Sequence, residues 1–167
     1  MIHERSKDIE DRKRIGDWEA DTILSNKVVK WWAVTLVDRK SRYTLLKQVR
    51  TLESDVVGNT IRYMLWNQKK QSITTDNGSE FAWLKNLIKV LQIEWFRCDP
   101  YSSYQRWTNE KTNGFIRWFL PKWIDINQYS DEEIDHIQDK LNHKPRKILW
   151  YKTPYEVYHN VTIRYLI

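Results

Sequence analysis

Between Asp17 and Leu24 apolar and polar positions alternate, the period of a strand with one face turned inward. Trp31 to Val37 is instead an almost unbroken apolar run with β-branched members, which predicts a strand buried on both faces. Arg39-Lys40-Ser41-Arg42 is a polar turn, and Tyr43 to Val49 reads as a third strand. Three strands joined by short polar links predict an antiparallel meander. The period then changes: Val56, Val57, Thr60, Ile61, Met64 and Leu65 recur at helical spacing. Ser72 to Thr75 is a short strand that stops at Asp76-Asn77-Gly78, and Ser79 stands where it would cap a helix with the apolar face Leu84, Leu87, Ile88 and Leu91. Ile93 to Phe96 is a fifth strand, ended by Asp99-Pro100. A helix from about Ser103 to Leu120 follows, and Pro121 ends it. Ser130 with Glu133 and Thr153 with Glu156 are capping-box pairs, the second with Pro154 at the first helical position. The order β-β-β-α-β-α-β-α-α, with a short final helix, predicts an α/β fold. It is a mixed five-stranded sheet, three antiparallel strands first, flanked by helices.

Composition narrows this little. A chain of 167 residues, 41% hydrophobic and 30% charged, fits one globular domain with a real core and no low-complexity tract. No apolar run approaches the roughly 20 residues of a membrane span, so no membrane partner is expected. Met1-Ile2-His3-Glu4-Arg5 lacks the apolar stretch of a secretory signal. The single cysteine, Cys98, has no partner for an internal disulfide; it reads as a small buried hydrophobe in a reducing compartment. Charge changes the picture more. The 28 Lys+Arg against 22 Asp+Glu leave +6, which favours a polyanionic partner, above all if a few essential acids sit in a basic surround.

Three acids qualify. Asp21 lies within the first strand between Trp18 and Ile23, where a charge is unexpected unless it is used. Asp76 ends the fourth strand, the usual place for functional groups in α/β sheets. Glu110 lies within the helix before Pro121. If that helix folds across neighbouring first and fourth strands, the three carboxylates converge. They then repel unless a cation sits among them. Oxygen-only ligands suit Mg²⁺ or Mn²⁺, and two such ions about 4 Å apart stabilise both oxygens of an in-line phosphoryl displacement. The four histidines, His3, His136, His143 and His159, show no zinc spacing, and there is no glycine-rich phosphate loop. The pattern equally fits a plain turn at Asp76-Asn77-Gly78 and a solvated Glu110 paired with Arg106.

Longer blocks narrow the choice. Ile15-Gly16-Asp17-Trp18-Glu19-Ala20-Asp21-Thr22 resembles the segment around the first acid of IS-30 family insertion-sequence transposases. Val34 to Arg42 (VTLVDRKSR) resembles the next block, and Thr75-Asp76-Asn77-Gly78-Ser79-Glu80-Phe81 is similar to the segment of the second acid. Asp99 to Arg106 with Asn109 to Gly114 resembles the stretch that carries the glutamate; 33 residues, 77–109, lie between Asp76 and Glu110, the family's spacing. Leu141 to Lys147 and Tyr151-Lys152-Thr153-Pro154 resemble its closing blocks. The resemblance implies an RNase H-like fold and metal-dependent cleavage at element ends, then attack by a 3′-OH on target DNA. It assigns Asp21, Asp76 and Glu110 as catalytic metal ligands, with Mg²⁺ or Mn²⁺, two ions, as cofactor. It implies terminal inverted repeats and target DNA as partners, a homo-oligomer as the active form, and a bacterial cytoplasm, at the nucleoid, as its place. The boundaries that follow are a basic N-terminal arm over 1–15, the transposase/integrase catalytic core over 16–160 and a tail over 161–167.

Helical spacing adds supporting residues. Arg106, Asn113 and Arg117 lie at −4, +3 and +7 from Glu110, on its helix face, placed to contact DNA phosphates or to steady the glutamate. Lys40 and Arg42 are phosphate contacts if their turn faces the substrate. Asn77 and Gly78 leave backbone open beside the second acid. Lys144, Arg146 and Lys147 form a basic cluster that fits solvation as well as DNA. Two departures from the family stand out. No segment resembles its N-terminal helix-turn-helix, so a fragment, a split product or a truncated element is expected, with end recognition in doubt. The ten tryptophans, against four glycines, include Trp83, Trp107, Trp123 and Trp150 at positions where the family usually has glycine. UGA codons read as glycine in the source would account for them, as would a lineage that reads UGA as tryptophan and has drifted there, or ordinary divergence. Two alternatives to the transposase core remain: a decayed fragment that binds DNA without catalysis, and an RNase H-like nuclease that hydrolyses without joining.

Overall fold

In the computed structural model, which describes residues 2–25, 31–99 and 107–163 (at Trp107 and Glu110 the backbone only), the alternating stretch forms β1 (Asp17–Leu24), the centre of the sheet. On one side β2 (Trp32–Asp38) pairs with it antiparallel, and β3 (Thr44–Val49) pairs antiparallel with β2. On the other side β4 (Ser72–Thr75) pairs parallel with β1, and β5 (Glu94–Arg97) parallel with β4. The order is β3-β2-β1-β4-β5, the mixed five-stranded sheet that the pattern predicts.

Strand alternation sorts the side chains into two cores. Trp18 and Ala20 of β1, Val34 and Leu36 of β2 and Ile73 of β4 face α2 (Ser54–Leu65), α3 (Leu84–Leu91) and Tyr158 of α6 (Pro154–His159). Ile23, Ala33 and Leu46 face the other way, onto Ile116 and Leu120 of the α4 (Trp107–Phe119) region and Ile134, Ile137 and Leu141 of α5 (Asp131–Asn142). Odd-numbered β1 residues therefore point toward α4. Edge strand β3 is shielded by α5: Asn142 exchanges two 2.8 Å bonds with the Thr44 backbone, and Gln138 Oε1 accepts from Leu46 N–H at 2.8 Å. Both capping boxes form as predicted. No described helix is long and apolar enough to cross a membrane.

Two expectations change, and one falls partly outside the described residues. Ser79 does not cap α3; it opens a 3-10 turn, Ser79–Phe81, and Trp83 stands at the helix start without a side-chain cap. Phe81 is buried, so the turn serves to drive that ring into the core. Residues before Gly16 are not all outside the core. α1 (Lys7–Glu10) buries Ile9 completely, Ile2 is 4% exposed, and Arg39 Nε donates to Ile9 O. Two isoleucines in a charged stretch were enough to seat it. The helix expected from Ser103 is described from Trp107 onward; Ser103 to Arg106 lie outside the described residues.

Candidate active site

Three acids occupy alternate positions on the α4-facing side of β1, and each has a different environment. Asp17 is fully buried; it takes Arg14 Nε at 2.9 Å and Arg14 Nη2 at 3.1 Å, and Ser72 Oγ donates to it from β4 at 2.7 Å. Glu19 is also fully buried. Arg39 Nη1 donates to its Oε1 at 2.7 Å and the Asn109 N–H of α4 to its Oε2 at 3.2 Å. Burial pushes the Glu19 carboxyl above its ordinary range, against the pull of Arg39 and of the Asn109 N–H. Burial likewise pushes the Arg39 guanidinium down. Asp21, the third, is half-buried. Its Oδ2 accepts from the neutral amide of Asn113 at 2.8 Å and its Oδ1 from Thr22 N–H at 2.9 Å. The two inner acids carry arginine partners that fasten the structure; the outer one meets an amide that orients it.

β4 delivers the next acid. Its parallel pairing with β1 ends at Glu19 opposite Thr74, and two residues further along each strand stand Asp21 and Asp76. Their shared parity with Asp17 and Ser72 puts them on the α4 side. Asp76 is held by a tight local turn in which Gly78 N–H donates to its Oδ1 at 2.9 Å. Asn77 Nδ2 ties the turn to Cys98 O at 2.8 Å; the Cys98 thiol is buried, as expected. Thr22 Oγ1 donates to Glu80 Oε1 at 3.2 Å, bringing one more carboxylate of the turn toward the end of β1.

α4 lies across this end. Asn113 binds Asp21; one turn later Arg117 Nη2 donates to Leu24 O and the guanidinium stacks 5.3 Å from the Trp31 ring. Backbone position 110 stands one turn before Asn113 on the same helix face. The Glu110 side chain, like the whole of Arg106, lies outside the described residues. Among those described, no group of three His, Cys, Asp or Glu is close enough to hold a metal. Asp21 and Asp76 nonetheless fit a hard divalent ion. They offer only oxygens, and a carboxylate oxygen that accepts one N–H keeps a second lone pair.

The other expected residues divide. Asn113 steadies Asp21, the first acid; whether it also meets the glutamate falls outside the described residues. Lys40 is exposed at the turn after β2 and donates to Lys13 O at 2.7 Å. That turn adjoins Asp17, as the 2.8 Å bond from Arg39 N–H to Asp17 O shows. It is roughly 13 Å along the strand from Asp21. Arg42, at φ 64°, reaches back to Thr108 Oγ1 at the start of α4. Burial, with repulsion from Arg12, pushes its guanidinium down to about 10. Sequence reasoning missed Glu19 and Asn109. The available signal was a second acid two residues before Asp21, on the same face of a strand too apolar to tolerate either.

The glycine question gains one geometric fact. Trp150 sits in the left-handed region at φ 55°, 91% exposed, followed by Tyr151 at φ 63°. Trp123 is 73% exposed, Trp83 packs half-buried over Gly58, and the Trp107 side chain lies outside the described residues.

Comparison with known proteins adds the following. Residues 11–103 match the family model of the integrase core domain. The transposase InsI of insertion sequence element IS30A from Escherichia coli (strain K12) is 39% identical over 159 residues, covering 93% of this chain and 41% of that protein. The chain thus spans about two fifths of that relative's length. Among solved structures, a chain of the simian T-cell lymphotropic virus intasome in complex with PP2A regulatory subunit B56 gamma superposes with a TM-score of 0.75. It is 18% identical, over 91% of this chain and 59% of that one. The catalytic core domain of BIV integrase gives 0.69 at 20% identity, over 86% and 93%. These likenesses establish an RNase H-like fold.

Proposed function

The chain belongs to the integrase core domain family, and from that premise we propose that it cuts and joins DNA strands at insertion-sequence ends, with Asp21, Asp76 and Glu110 as metal ligands. One observation carries the reading. Asp21 and Asp76 stand at matching positions past the paired ends of two parallel strands, and Asn113 lays the helix of Glu110 against the first of them. Two Mg²⁺ or Mn²⁺ ions held there would supply charge for the attacking and leaving oxygens of a phosphoryl displacement.

The chain's own residues do the positioning. Asn113 fixes the lone-pair direction of Asp21. Gly78 N–H and Asn77 hold the Asp76 turn, leaving its short backbone as the floor beneath a phosphate. Glu19 and Arg42 fasten the first turn of α4, and so the height of position 110. Arg117 is a proposed phosphate contact at this end of the sheet, and Arg106 another by its spacing in the sequence; Lys40 fits only a duplex that extends past it. Inverted-repeat DNA, target DNA and assembly into a multimer belong to the same proposal.

The test is cleavage and joining by the purified chain on pre-nicked or branched DNA with Mn²⁺, beside Asp76→Ala. Joined product from the parent and a loss of more than 100-fold in the variant is the expected result. Equal product from both removes the acid set from the chemistry. Hydrolysis without joining leaves the nuclease reading. DNA bound but never cut leaves the inert-fragment reading.

A further inference from the structure

α4 has a second working face. Asn113 and Arg117 point toward the end of β1; Thr108, Lys111, Thr112 and Phe115 lie on the opposite side of the helix. That side forms one wall of a cleft of about 510 Å³. The other wall is the segment after α5, with Lys144, Pro145, Arg146 and Lys147, and Arg42 closes one end. Five cations line the cleft, and no carboxylate is among its described lining residues.

Aromatic rings hold two of the cations in place. Arg146 stacks 4.1 Å from the Phe115 ring, and Lys144 lies 5.8 Å from the same ring and 5.6 Å from that of Trp118. Arg146 Nη2 donates to Leu141 O, while its buried Nε and Nη1 have no hydrogen-bond partner among the described residues. Burial depresses both Arg42 and Arg146. Like charges gathered on apolar walls repel one another and hold their counter-ions loosely. An anion entering the cleft relieves the repulsion and supplies the missing acceptors. Trp118, 80% exposed at the rim, offers a flat apolar face beside the charges.

We infer that this cleft binds the phosphodiester backbone of DNA on the side of α4 away from Asp21, a contact separate from the strand that reacts. Several cations on two facing walls, two of them against aromatic rings, match a polyanionic backbone better than one small anion. The inference rests on the proposal that DNA is the substrate, but not on the metal chemistry. A duplex gripped behind α4 while its end or a second strand lies before it would be clamped across the helix that carries Glu110.

Binding of a fluorescent duplex in EDTA, measured over a series of salt concentrations, tests it without any contribution from catalysis. Lys144→Ala/Lys147→Ala removes two exposed cleft charges. Lys85→Ala/Lys89→Ala removes two exposed charges from α3, across the sheet, as a matched control. At about 0.9 per phosphate contact, the cleft variant is expected to lower the slope of log K against log salt by roughly 1.8, and the control to leave it in place. Equal slopes for the two variants, or a cleft variant indistinguishable from the parent, overturn the inference. The Mn²⁺ joining assay is read separately. No joining with an intact slope difference sinks the metal chemistry and keeps the cleft; joining with no slope difference does the reverse.

Discussion

Asn113 holds Asp21, the first of the acids proposed to bind metal, through a neutral amide. Asp17 and Glu19 accept from guanidinium groups, and Asp21 accepts from an amide. An amide orients a carboxylate without competing with a cation for its charge. Removing such an outer partner typically lowers metal affinity or activity 10–100-fold. Asn113→Ala should therefore reduce Mn²⁺-dependent joining by that factor and shift the metal requirement upward, with a melting temperature close to the parent's. A loss of activity matched by a large loss of stability would mean the residue is merely structural. Trp150 makes the opposite case, a residue at odds with its backbone. The left-handed conformation costs a non-glycine residue about 1–2 kcal/mol, and its exposed indole recovers little by packing. Glycine gives up part of that gain in the unfolded chain. Trp150→Gly should raise unfolding free energy by about 0.5–1 kcal/mol in urea titration; an unchanged or lower midpoint would show that the indole packs usefully after all.

At the scale of elements, the join between β1 and α4 decides whether the site exists. Four backbone N–H groups at a helix start need acceptors, and the buried Glu19 carboxylate serves one of them while paired with Arg39. Breaking a buried pair from one side costs about 3–5 kcal/mol, because the other charge is left alone. Glu19→Ala should cost that much stability and speed hydrogen exchange in the first turns of α4. Glu19→Gln keeps an acceptor for Asn109 N–H and should retain more of both. Equal exchange in α4 for the two variants would mean the carboxylate does not hold the helix. This join was not legible in the sequence, although its parts were. Periodicity gave β1 and β4 to the residue, and the capping boxes before α5 and α6 closed as written, since these depend on neighbours in the chain. Glu19 lies 90 positions from Asn109, and no local pattern records a contact of that range. Ser79 failed for the related reason that the burial of Phe81 overrode a local cap signal. The acid pair fell between these cases. The family blocks named Asp21 and Asp76, and the sheet supplied the parallel register that brings them level.

If Asp21 and Asp76 hold the metal as proposed, the whole molecule gains stability when the cation binds. Two carboxylates at matching ends of neighbouring strands repel, and the repulsion is present in the folded state but largely absent from the open chain. A ligand that binds only the folded form stabilises it by RT ln(1 + [L]/Kd), about 2.7 kcal/mol at a hundredfold excess over Kd. Melting curves of the DNA-free chain therefore test the proposed metal site without any contribution from DNA. In EDTA, Asp76→Asn should melt close to the parent, because it keeps an acceptor for Gly78 N–H. Added Mn²⁺ should raise the parent's melting temperature in a saturable way and leave the variant's where it was. If both rise together, the ion binds elsewhere. If neither rises while joining still requires Mn²⁺, DNA must supply part of the coordination, and the folded chain does not hold the metal before its substrate arrives.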